Sequence, residues 1–191
     1  MNRASDHPLC AHWLGFSSPQ VPRWVLMCLL AVLGVFLGGC GGKSKESTEH
    51  QRKQADHLLA EADFAVTLRD WKRAEGLLAQ ASALVPGDGA VLTSLGSVRM
   101  RLGNRSAAKE AYQKALKAYE AAAAADKSKT DAEPWLKQVY VLALLGKAGD
   151  ARSLLDKLGK QYPGNRSVRA FIDGKQLDRM LADPQFKQLA L

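Results

Sequence analysis

Apolar residues recur along residues 51–173 at the spacing of an amphipathic α-helix, and short polar segments interrupt them. The first stretch repeats its apolar residues every three or four positions, at Leu58, Leu59, Ala62, Ala65, Val66 and Leu68. Side chains at these intervals lie on one face of a helix. A stretch of the same kind follows from Trp71 to Leu84. The pattern therefore predicts an all-α protein in which each helix buries one face.

The polar segments between these stretches carry residues that begin and end helices. Ser47 or Thr48 can cap a first helix, and Asp70 can cap a second one. The second helix is expected to end at Val85-Pro86-Gly87-Asp88, because proline does not continue the hydrogen-bond ladder. Tyr162-Pro163-Gly164-Asn165 has the same form. Two such endings predict that one structural unit recurs.

The register of that unit follows from counting back from the two proline-glycine pairs. Windows that start at Ala55, Gly89 and Ala132 share one register, with starts 34 and then 43 residues apart. Small residues occupy the twentieth position and large ones the twenty-fourth: Ala74, Ala108 and Ala151, then Leu78, Tyr112 and Leu155. A small residue lets two helices approach closely, and a large one on the neighbouring helix fills the gap. We therefore expect three stacked helix pairs.

The second window carries the pattern most clearly, with Leu95-Gly96, Gly103, Ala108, Tyr112 and Ala115. Together the windows resemble the tetratricopeptide repeat, a helix-turn-helix unit of 34 residues. The resemblance implies a short α-solenoid of about three such units over residues 51–173. The chain departs from the family pattern at Glu61, Arg99, Glu120 and Gln138, where the family prefers other residue types.

The extra residues before the third window fall between Ala118 and Pro134. Glu120 stands where a proline would end the unit, so the helix from Arg105 is expected to reach about Asp126, a length of about 33 Å. Asp131 can then cap the next helix. Two interpretations of the protruding helix end stay open: a spacer, which we favour, and an extra contact surface.

Residues 174–191 follow the repeats and hold further short amphipathic segments. Their apolar residues are Leu177, Met180, Leu181, Phe186 and Leu189, and Asp183-Pro184 opens the last helix. The end of a solenoid leaves an apolar face uncovered, and a terminal helix commonly covers it. We expect C-terminal capping helices here. The alternative is a helix that enters a partner's groove.

The N-terminal residues have a different pattern. Arg23 precedes an almost wholly apolar run from Trp24 to Leu37, which matches a secretory signal and is shorter than the ~20 residues that span a bilayer. The end of the run, Leu37-Gly38-Gly39-Cys40, resembles a bacterial lipobox. That resemblance implies removal of residues 1–39 as a lipoprotein signal peptide and lipidation of Cys40. An uncleaved membrane anchor is the alternative.

The lipobox also sets the expected location. Residues 40–50 are polar and glycine-containing and predict a flexible tether with a reach on the order of 17 Å. Gly41 after the cysteine, instead of aspartate, resembles lipoproteins sent to the outer membrane of cells that have two membranes. We therefore expect a lipid-anchored protein of the cell envelope, at the outer membrane and facing the periplasm.

Composition and charge restrict the function only loosely. The apolar fraction of 47% allows a buried core without metals or disulfides, and the formal charge is +8. Such a surplus allows contact with anionic headgroups, acidic proteins or polyanions without selecting among them. The cysteines at positions 10, 28 and 40 all precede the repeats, so they are not expected to cross-link them. We expect no nucleic-acid partner.

Candidate catalytic and metal-binding groups are sparse after position 40. His50 and His57 lie two helical turns apart, about 10 Å, which is too far for one metal ion. His57 and Glu61 could share a helix face, but two ligands make a weak site. No glycine-rich phosphate loop or nucleophile with a matching base is present in the sequence. We therefore expect neither an enzyme nor a cofactor.

The resemblance to the repeat family implies a concave groove lined by the first helix of each unit. The family's groove positions correspond here to Asp56, Leu59, Asp63, Val66, Thr67, Ala90, Thr93, Ser97, Met100, Arg101, Glu133, Leu136, Tyr140, Ala143 and Leu144. Chaperone-binding family members carry lysine and asparagine where this chain has Leu59 and Asp63. Binding of a chaperone's C-terminal carboxylate is therefore not expected.

The expected function is that of a membrane-anchored interaction scaffold or assembly factor that binds proteins or peptides in the groove. Lipoproteins with these repeats include pilus and secretin assembly factors, which are one alternative. Another is binding of an envelope polymer, such as peptidoglycan or lipopolysaccharide, by basic residues outside the groove. Those residues are Lys72, Arg73, Arg105, Lys109, Lys114, Lys117, Lys127, Lys129, Lys157 and Lys160.

Overall fold

The computed structural model describes residues 47–126 and 130–191, and within these ranges all regular structure is helical. The helices, in chain order, are α1 (Glu49–Thr67), α2 (Trp71–Leu84), α3 (Gly89–Arg101), α4 (Arg105–Ala125), α5 (Glu133–Leu144), α6 (Ala148–Gln161), α7 (Arg166–Asp173), α8 (Gln176–Ala182) and α9 (Pro184–Leu189). The all-α prediction is confirmed for this part of the chain. The expected signal peptide, Cys40, most of the tether, Lys127 and Lys129 lie outside the described residues.

Side-chain caps explain where most of the helices begin. Thr48 accepts a hydrogen bond from the Gln51 amide, and the Gln51 side chain accepts one from the Thr48 amide. The later caps are Asp70, Asp88, Asn104, Asn165 and Asp183. Each satisfies an amide that the helix leaves without an intrahelical partner. The predicted caps at Thr48 and Asp70 are confirmed.

Two sequence expectations at helix ends were wrong in detail. Asp131 was expected to cap α5, but the N-cap position is Ala132, and the Asp131 carboxylate accepts from the Glu133 amide at 2.9 Å. Leu68 was assigned to the apolar stripe of α1, but it is the C-cap residue and is 61% exposed. Its neighbour Phe64 is 59% exposed.

One turn geometry recurs three times, inside each helix pair. Arg69, Gly103 and Gly146 all have positive φ, at 59°, 77° and 73°. The amides of each turn bond to carbonyls of the preceding helix in the same order, as with Gly103 to Met100 and Asn104 to Arg99. The turns are 34 and 43 residues apart, which are the spacings of the sequence windows.

The connections that follow α2 and α6 are also alike. Asp88 donates its amide to the Val85 carbonyl, and Asn165 donates its amide to the Tyr162 carbonyl, each at 3.0 Å. Both residues also cap the helix that follows. The two proline-glycine segments therefore form equivalent turns, 77 residues apart.

Consecutive helices pack against one another along the chain, from α1 through α8. The alanines at the twentieth window position, Ala74, Ala108 and Ala151, are all fully buried. A Cβ atom added at Gly96 would lie 2.4 Å from the Tyr112 ring, so the missing side chain makes room for that ring. The expected fit of small against large residues is thus present between α3 and α4.

The end of α4 contacts neighbouring helices. A Cβ atom on Gly89 would lie 2.7 Å from the Tyr119 ring. Gln138 of α5 is buried and donates its side-chain amide to the Tyr119 carbonyl at 3.2 Å. Tyr119 directly precedes Glu120, and in the extension beyond it Ala123 is also buried.

The last two helices turn back over the earlier ones. Helix α8 packs against α5 and α7, and α9 packs against α8 and α3. Leu177 and Phe186 are buried in the largest hydrophobic cluster, which also holds Tyr112 and Leu144. No helix in residues 47–126 and 130–191 combines the length and hydropathy needed to span a membrane.

Candidate functional site

A cavity of about 870 Å³ lies on the side of the helix array formed by α1, α3, α5 and α7. Its lining includes Asp63, Val66, Trp71, Ala90, Thr93, Ser94, Ser97, Arg101, Tyr119, Asp131, Glu133, Leu136, Lys137, Tyr140, Phe171 and Leu189. Hydroxyl, carboxylate, basic and aromatic side chains thus share one concave surface. We call this surface the groove.

Nine of the mapped positions were put forward from the sequence as groove residues: Asp56, Leu59, Asp63, Thr93, Ser97, Met100, Arg101, Leu136 and Tyr140. Six of these nine line this cavity. They are Asp63, Thr93, Ser97, Arg101, Leu136 and Tyr140. Among the other mapped positions, Val66, Ala90 and Glu133 also line it. First helices of the helix pairs therefore do face the cavity, and the structure brings these side chains together.

The remaining chosen positions lie elsewhere. Asp56 is exposed and does not line the cavity. Leu59 is half-buried and packs from α1 against hydrophobic residues of two clusters. Met100 is buried and lines a separate cavity. Ala143 and Leu144, mapped from the family pattern, are fully buried in the core, and Thr67 is exposed outside the cavity.

Sequence reasoning missed several lining residues, namely Trp71, Tyr119, Phe171 and Leu189. None belongs to the first helix of a pair, which is where the family pattern places the groove. A signal existed for Tyr119, because Glu120 in place of proline predicted that α4 would continue past this residue. Leu189 reaches the groove through a fold-back that local sequence does not encode.

The charges of the groove are mixed. Acidic side chains come from Asp63, Asp131 and Glu133, and basic ones from Arg101 and Lys137. Lys137 lies 3.8 Å from Glu133, with both side chains largely exposed. The Arg101 guanidinium lies 5.6 Å from the centroid of the Trp71 ring, within cation–π range. The groove therefore offers hydrogen-bond donors and acceptors together with apolar and aromatic surface.

Three tyrosines near the groove keep their protons at neutral pH. Burial raises the pKa of Tyr112 to about 12, with a smaller opposing effect of its hydrogen bond to Ser97. Burial likewise raises the pKa of Tyr119 and of Tyr140. Their hydroxyl groups are therefore available as hydrogen-bond donors across the physiological range.

Residues 184–191 occupy one side of the groove. The Phe186 and Tyr140 rings meet edge to face, with centroids 5.8 Å apart. The Tyr112 hydroxyl donates to the Leu189 carbonyl at 2.9 Å, and the Leu191 amide donates to the Leu144 carbonyl at 2.9 Å.

Side chains add a further contact on this side. Arg101 donates to the Gln188 side-chain oxygen at 2.7 Å. A second cavity, of about 740 Å³, lies beside the segment and is lined by Arg69, Trp71, Met100, Arg101, Gln185 and Gln188. Trp71 and Arg101 thus line both cavities, and residues of 184–191 line each of them.

The basic residues expected outside the groove are exposed wherever the structure describes them. These are Lys72, Arg73, Arg105, Lys109, Lys114, Lys117, Lys157 and Lys160. None lines the large cavity. Lys114 pairs with Glu110 at 2.7 Å, and Arg73 lies 3.8 Å from Glu61. Exposed pairs of this kind contribute little to stability.

Residues 47–126 and 130–191 contain no group of three or more histidine, cysteine, aspartate or glutamate side chains placed to hold a metal ion. His57 Nδ1 lies 3.1 Å from Glu61 Oε1, so these two side chains pair with each other.

No known protein-family model matches the chain, and no curated protein matches it.

Proposed function

We propose that this chain is a lipid-anchored protein of the cell envelope that holds partner proteins through peptide segments bound in the groove, as a scaffold or assembly factor without catalysis. The observation that carries the proposal is the groove itself. It places Thr93, Ser97, Leu136 and Tyr140 around one open cavity of about 870 Å³.

The repeat architecture is part of the proposal. We interpret α1–α2, α3–α4 and α5–α6 as three tetratricopeptide-like units of a short solenoid. The shared turn at Arg69, Gly103 and Gly146 supports this interpretation, as do the buried alanines at equivalent positions. In such an array the first helices line a continuous concave surface, which is the side that holds the groove.

A peptide suits this groove better than a small polar molecule. A bound peptide brings unpaired amide and carbonyl groups, and each needs a partner when water is removed. The groove offers hydroxyl, carboxylate and guanidinium groups beside apolar surface from Val66, Leu136 and Phe171. It already holds one backbone carbonyl, that of Leu189, through the Tyr112 hydroxyl.

The attachment to the membrane rests on the sequence alone. Cleavage before Cys40 and acylation of its sulfur and amine would provide more than one chain, and two lipid chains are enough for stable attachment. The tether between Cys40 and the start of α1 at Glu49 would keep the groove near the membrane surface. A scaffold held there would meet other envelope proteins at a high effective concentration.

Site-specific crosslinking in intact cells tests the groove. A photo-reactive residue at Leu136 faces the cavity, whereas one at Lys114 lies exposed on α4 outside it. We expect protein adducts from position 136 that are absent at position 114 and that weaken severalfold when Tyr140→Ala is added. Identical adducts from both positions, or adducts from 136 that ignore Tyr140→Ala, would remove the groove from the proposal.

The exposed basic residues favour a second candidate, binding of an anionic envelope polymer. Eight such residues lie outside the large cavity on α2, α4 and α6. Electrostatic binding weakens steeply with salt, because the screening length falls from about 10 Å at 0.1 M to about 3 Å at 1 M. We would measure co-sedimentation with purified peptidoglycan across this range. Retention that survives high salt, or that Lys109→Glu with Lys117→Glu leaves unchanged, excludes this candidate.

A further inference from the structure

The segment of residues 184–191 touches the groove as a ligand would. Its contacts come from three helices of the array: Arg101 of α3, Tyr112 of α4, and Tyr140 and Leu144 of α5. They combine one aromatic contact, backbone hydrogen bonds and one side-chain hydrogen bond. This is the mixture that characterises recognition of a short helical peptide.

The segment also has few buried contacts for an element that packs against the core. Helix α9 has only six residues, and helices shorter than about 12 residues are marginal on their own in water. Phe186 is its one buried residue, while Gln185, Lys187 and Gln188 are exposed. Elements with few buried contacts open at a fraction of the free energy of global unfolding. The segment can therefore leave while α1–α6 stay folded.

Its position makes such opening consequential. Leu189 forms part of the wall of the large cavity, and Gln185 and Gln188 form part of the wall of the second one. Arg101 lines both cavities and is held by Gln188. Release of the segment therefore breaks the hydrogen bond between Arg101 and Gln188 and uncovers Tyr140. It also joins the two cavities that the segment separates.

We propose that residues 184–191 are a resident ligand of the groove, and that the partner segment which displaces them has the same chemistry. That segment is a short helical turn with an aromatic residue followed three positions later by leucine, and with a hydrogen-bonding side chain between them that reaches Arg101. The inference rests on the proposed function, because it names the class of segment bound in the same groove and the contact that regulates access to it.

A side chain of the protein contacts each part of this pattern. Tyr140 receives the edge of the aromatic ring. The Tyr112 hydroxyl donates a hydrogen bond to the backbone carbonyl at the leucine position, and the raised pKa of Tyr112 keeps this hydroxyl a donor. Arg101 donates a hydrogen bond to the polar side chain one residue before that leucine. A peptide that lacks the aromatic residue loses the one buried side chain of the resident segment.

The test uses a fluorescein-labelled synthetic peptide, Asp183–Leu191, added to the full chain. In the unaltered chain the resident copy competes at an effective concentration in the millimolar range, so little peptide binds. The Phe186→Ala chain should bind the peptide at least about tenfold more tightly. A peptide carrying the same Phe→Ala change should not bind. A folded Phe186→Ala chain that binds the peptide no better than the unaltered chain overturns the proposal.

A second measurement does not depend on the peptide. A Cβ atom on Gly146 would lie 2.9 Å from the Leu191 carbonyl oxygen, whereas one on Gly103, at similar positive φ, meets nothing within 4 Å. Gly146→Ala should therefore speed hydrogen exchange of the Leu191 amide at least about tenfold, and Gly103→Ala should leave it slow. Equal exchange in the two variants contradicts docking of the segment at this place.

Other outcomes separate this inference from the proposed function. Peptide binding as expected, without any adduct from a photo-reactive residue at Leu136 in cells, supports the resident ligand while removing partner binding. Slow exchange of the Leu191 amide that depends on protein concentration shows that a second copy supplies the segment, which overturns the intramolecular form. Slow exchange at all concentrations supports it.

Discussion

At the scale of single residues, Gly96 of α3 has the least room for a side chain of the glycines in the described part of the chain, because it lies against Tyr112 of α4. Tyr112 is fully buried, and a methyl group on Gly96 would stand 2.4 Å from a ring carbon. Because Tyr112 also donates to the Leu189 carbonyl, the ring has little room to move aside. This pair therefore couples the packing of α3 on α4 to the position of the last residues.

We expect Gly96→Ala to lower the free energy of unfolding by about 2 to 3 kcal/mol, because overpacking of a close contact costs this much. Gly76→Ala is the matched control, since Gly76 lies inside α2 and an added methyl group meets nothing within 4 Å. That change should raise stability by about 0.5 to 1 kcal/mol, from helix propensity alone. Urea denaturation measures both, and a Gly96→Ala chain as stable as the unaltered one would contradict the packing described.

Two buried phenols make a second test at this scale. Tyr112→Phe removes the hydrogen bond to Leu189 and should cost about 1 kcal/mol at pH 8. The Tyr162 hydroxyl is buried without a hydrogen-bond partner among the described residues. Tyr162→Phe should therefore be neutral or slightly stabilising at the same pH. Denaturant unfolding of the two variants side by side gives the comparison.

The same Tyr112 variant should behave differently in alkali. The folded pKa is about 12 and the ordinary value is 10.0, so between these pH values the unfolded chain releases a proton that the folded chain keeps. Stability then falls with rising pH, by up to about 1.4 kcal/mol per pH unit, in the chain that retains Tyr112. The advantage of the unaltered chain over Tyr112→Phe should shrink above pH 10 and vanish near about pH 11. A constant difference from pH 8 to 11 would contradict the buried, protonated phenol.

At the scale of elements, helix starts were predictable from the sequence because their causes are local. Asp70, Asp88 and Thr48 cap the helix that directly follows them, and a residue that acts on amides two or three positions away leaves its mark in the sequence. The cap of α5 was placed one residue early, because Asp131 and Ala132 lie in an irregular segment between two windows, where the apolar spacing does not fix the helix start.

The groove was predictable only in part, for the opposite reason. Positions such as Thr93 and Tyr140 follow from the register of a helix, so their location was found. Met100 has the same register but lines the second cavity, together with Gln185 and Gln188. The contact between Tyr112 and Leu189 joins residues 77 positions apart. Nothing in the local pattern of either residue indicates that pairing.

The repeated turn gives a prediction at this scale. Arg69 adopts φ of 59°, where Gly103 and Gly146 stand in the equivalent turns. A side chain in this region costs about 1 kcal/mol or more. Arg69→Gly should therefore raise the free energy of unfolding by about 0.5 to 1 kcal/mol, after the greater freedom of glycine in the unfolded chain is subtracted. Gly103→Ala should lower it by about 1 kcal/mol. Opposite signs in urea denaturation confirm that the three turns are equivalent.

At the scale of the whole molecule, the excess positive charge and the groove lie on different parts of the surface. The chain carries a formal charge of +8, yet the groove combines Asp63, Asp131 and Glu133 with Arg101 and Lys137. The excess of basic residues therefore lies outside the groove. A chain held at an anionic membrane could turn these residues toward the headgroups while the groove stays open to proteins. Attachment and recognition would then be independent properties.

Replacement of Cys40 tests that independence. Cys40→Ser removes the sulfur that we propose is acylated, so we expect the chain to move from the membrane fraction to the soluble fraction of broken cells. The buried hydrophobic residues of the described part lie between Ala55 and Phe186, so the free energy of unfolding should change by less than about 0.5 kcal/mol. Binding of the Asp183–Leu191 peptide to the Phe186→Ala chain should also be unchanged when Cys40→Ser is added. A Cys40→Ser chain that still sediments with membranes in 1 M salt would show that attachment does not depend on lipid at this cysteine, because salt at that concentration screens exposed charges beyond about 3 Å.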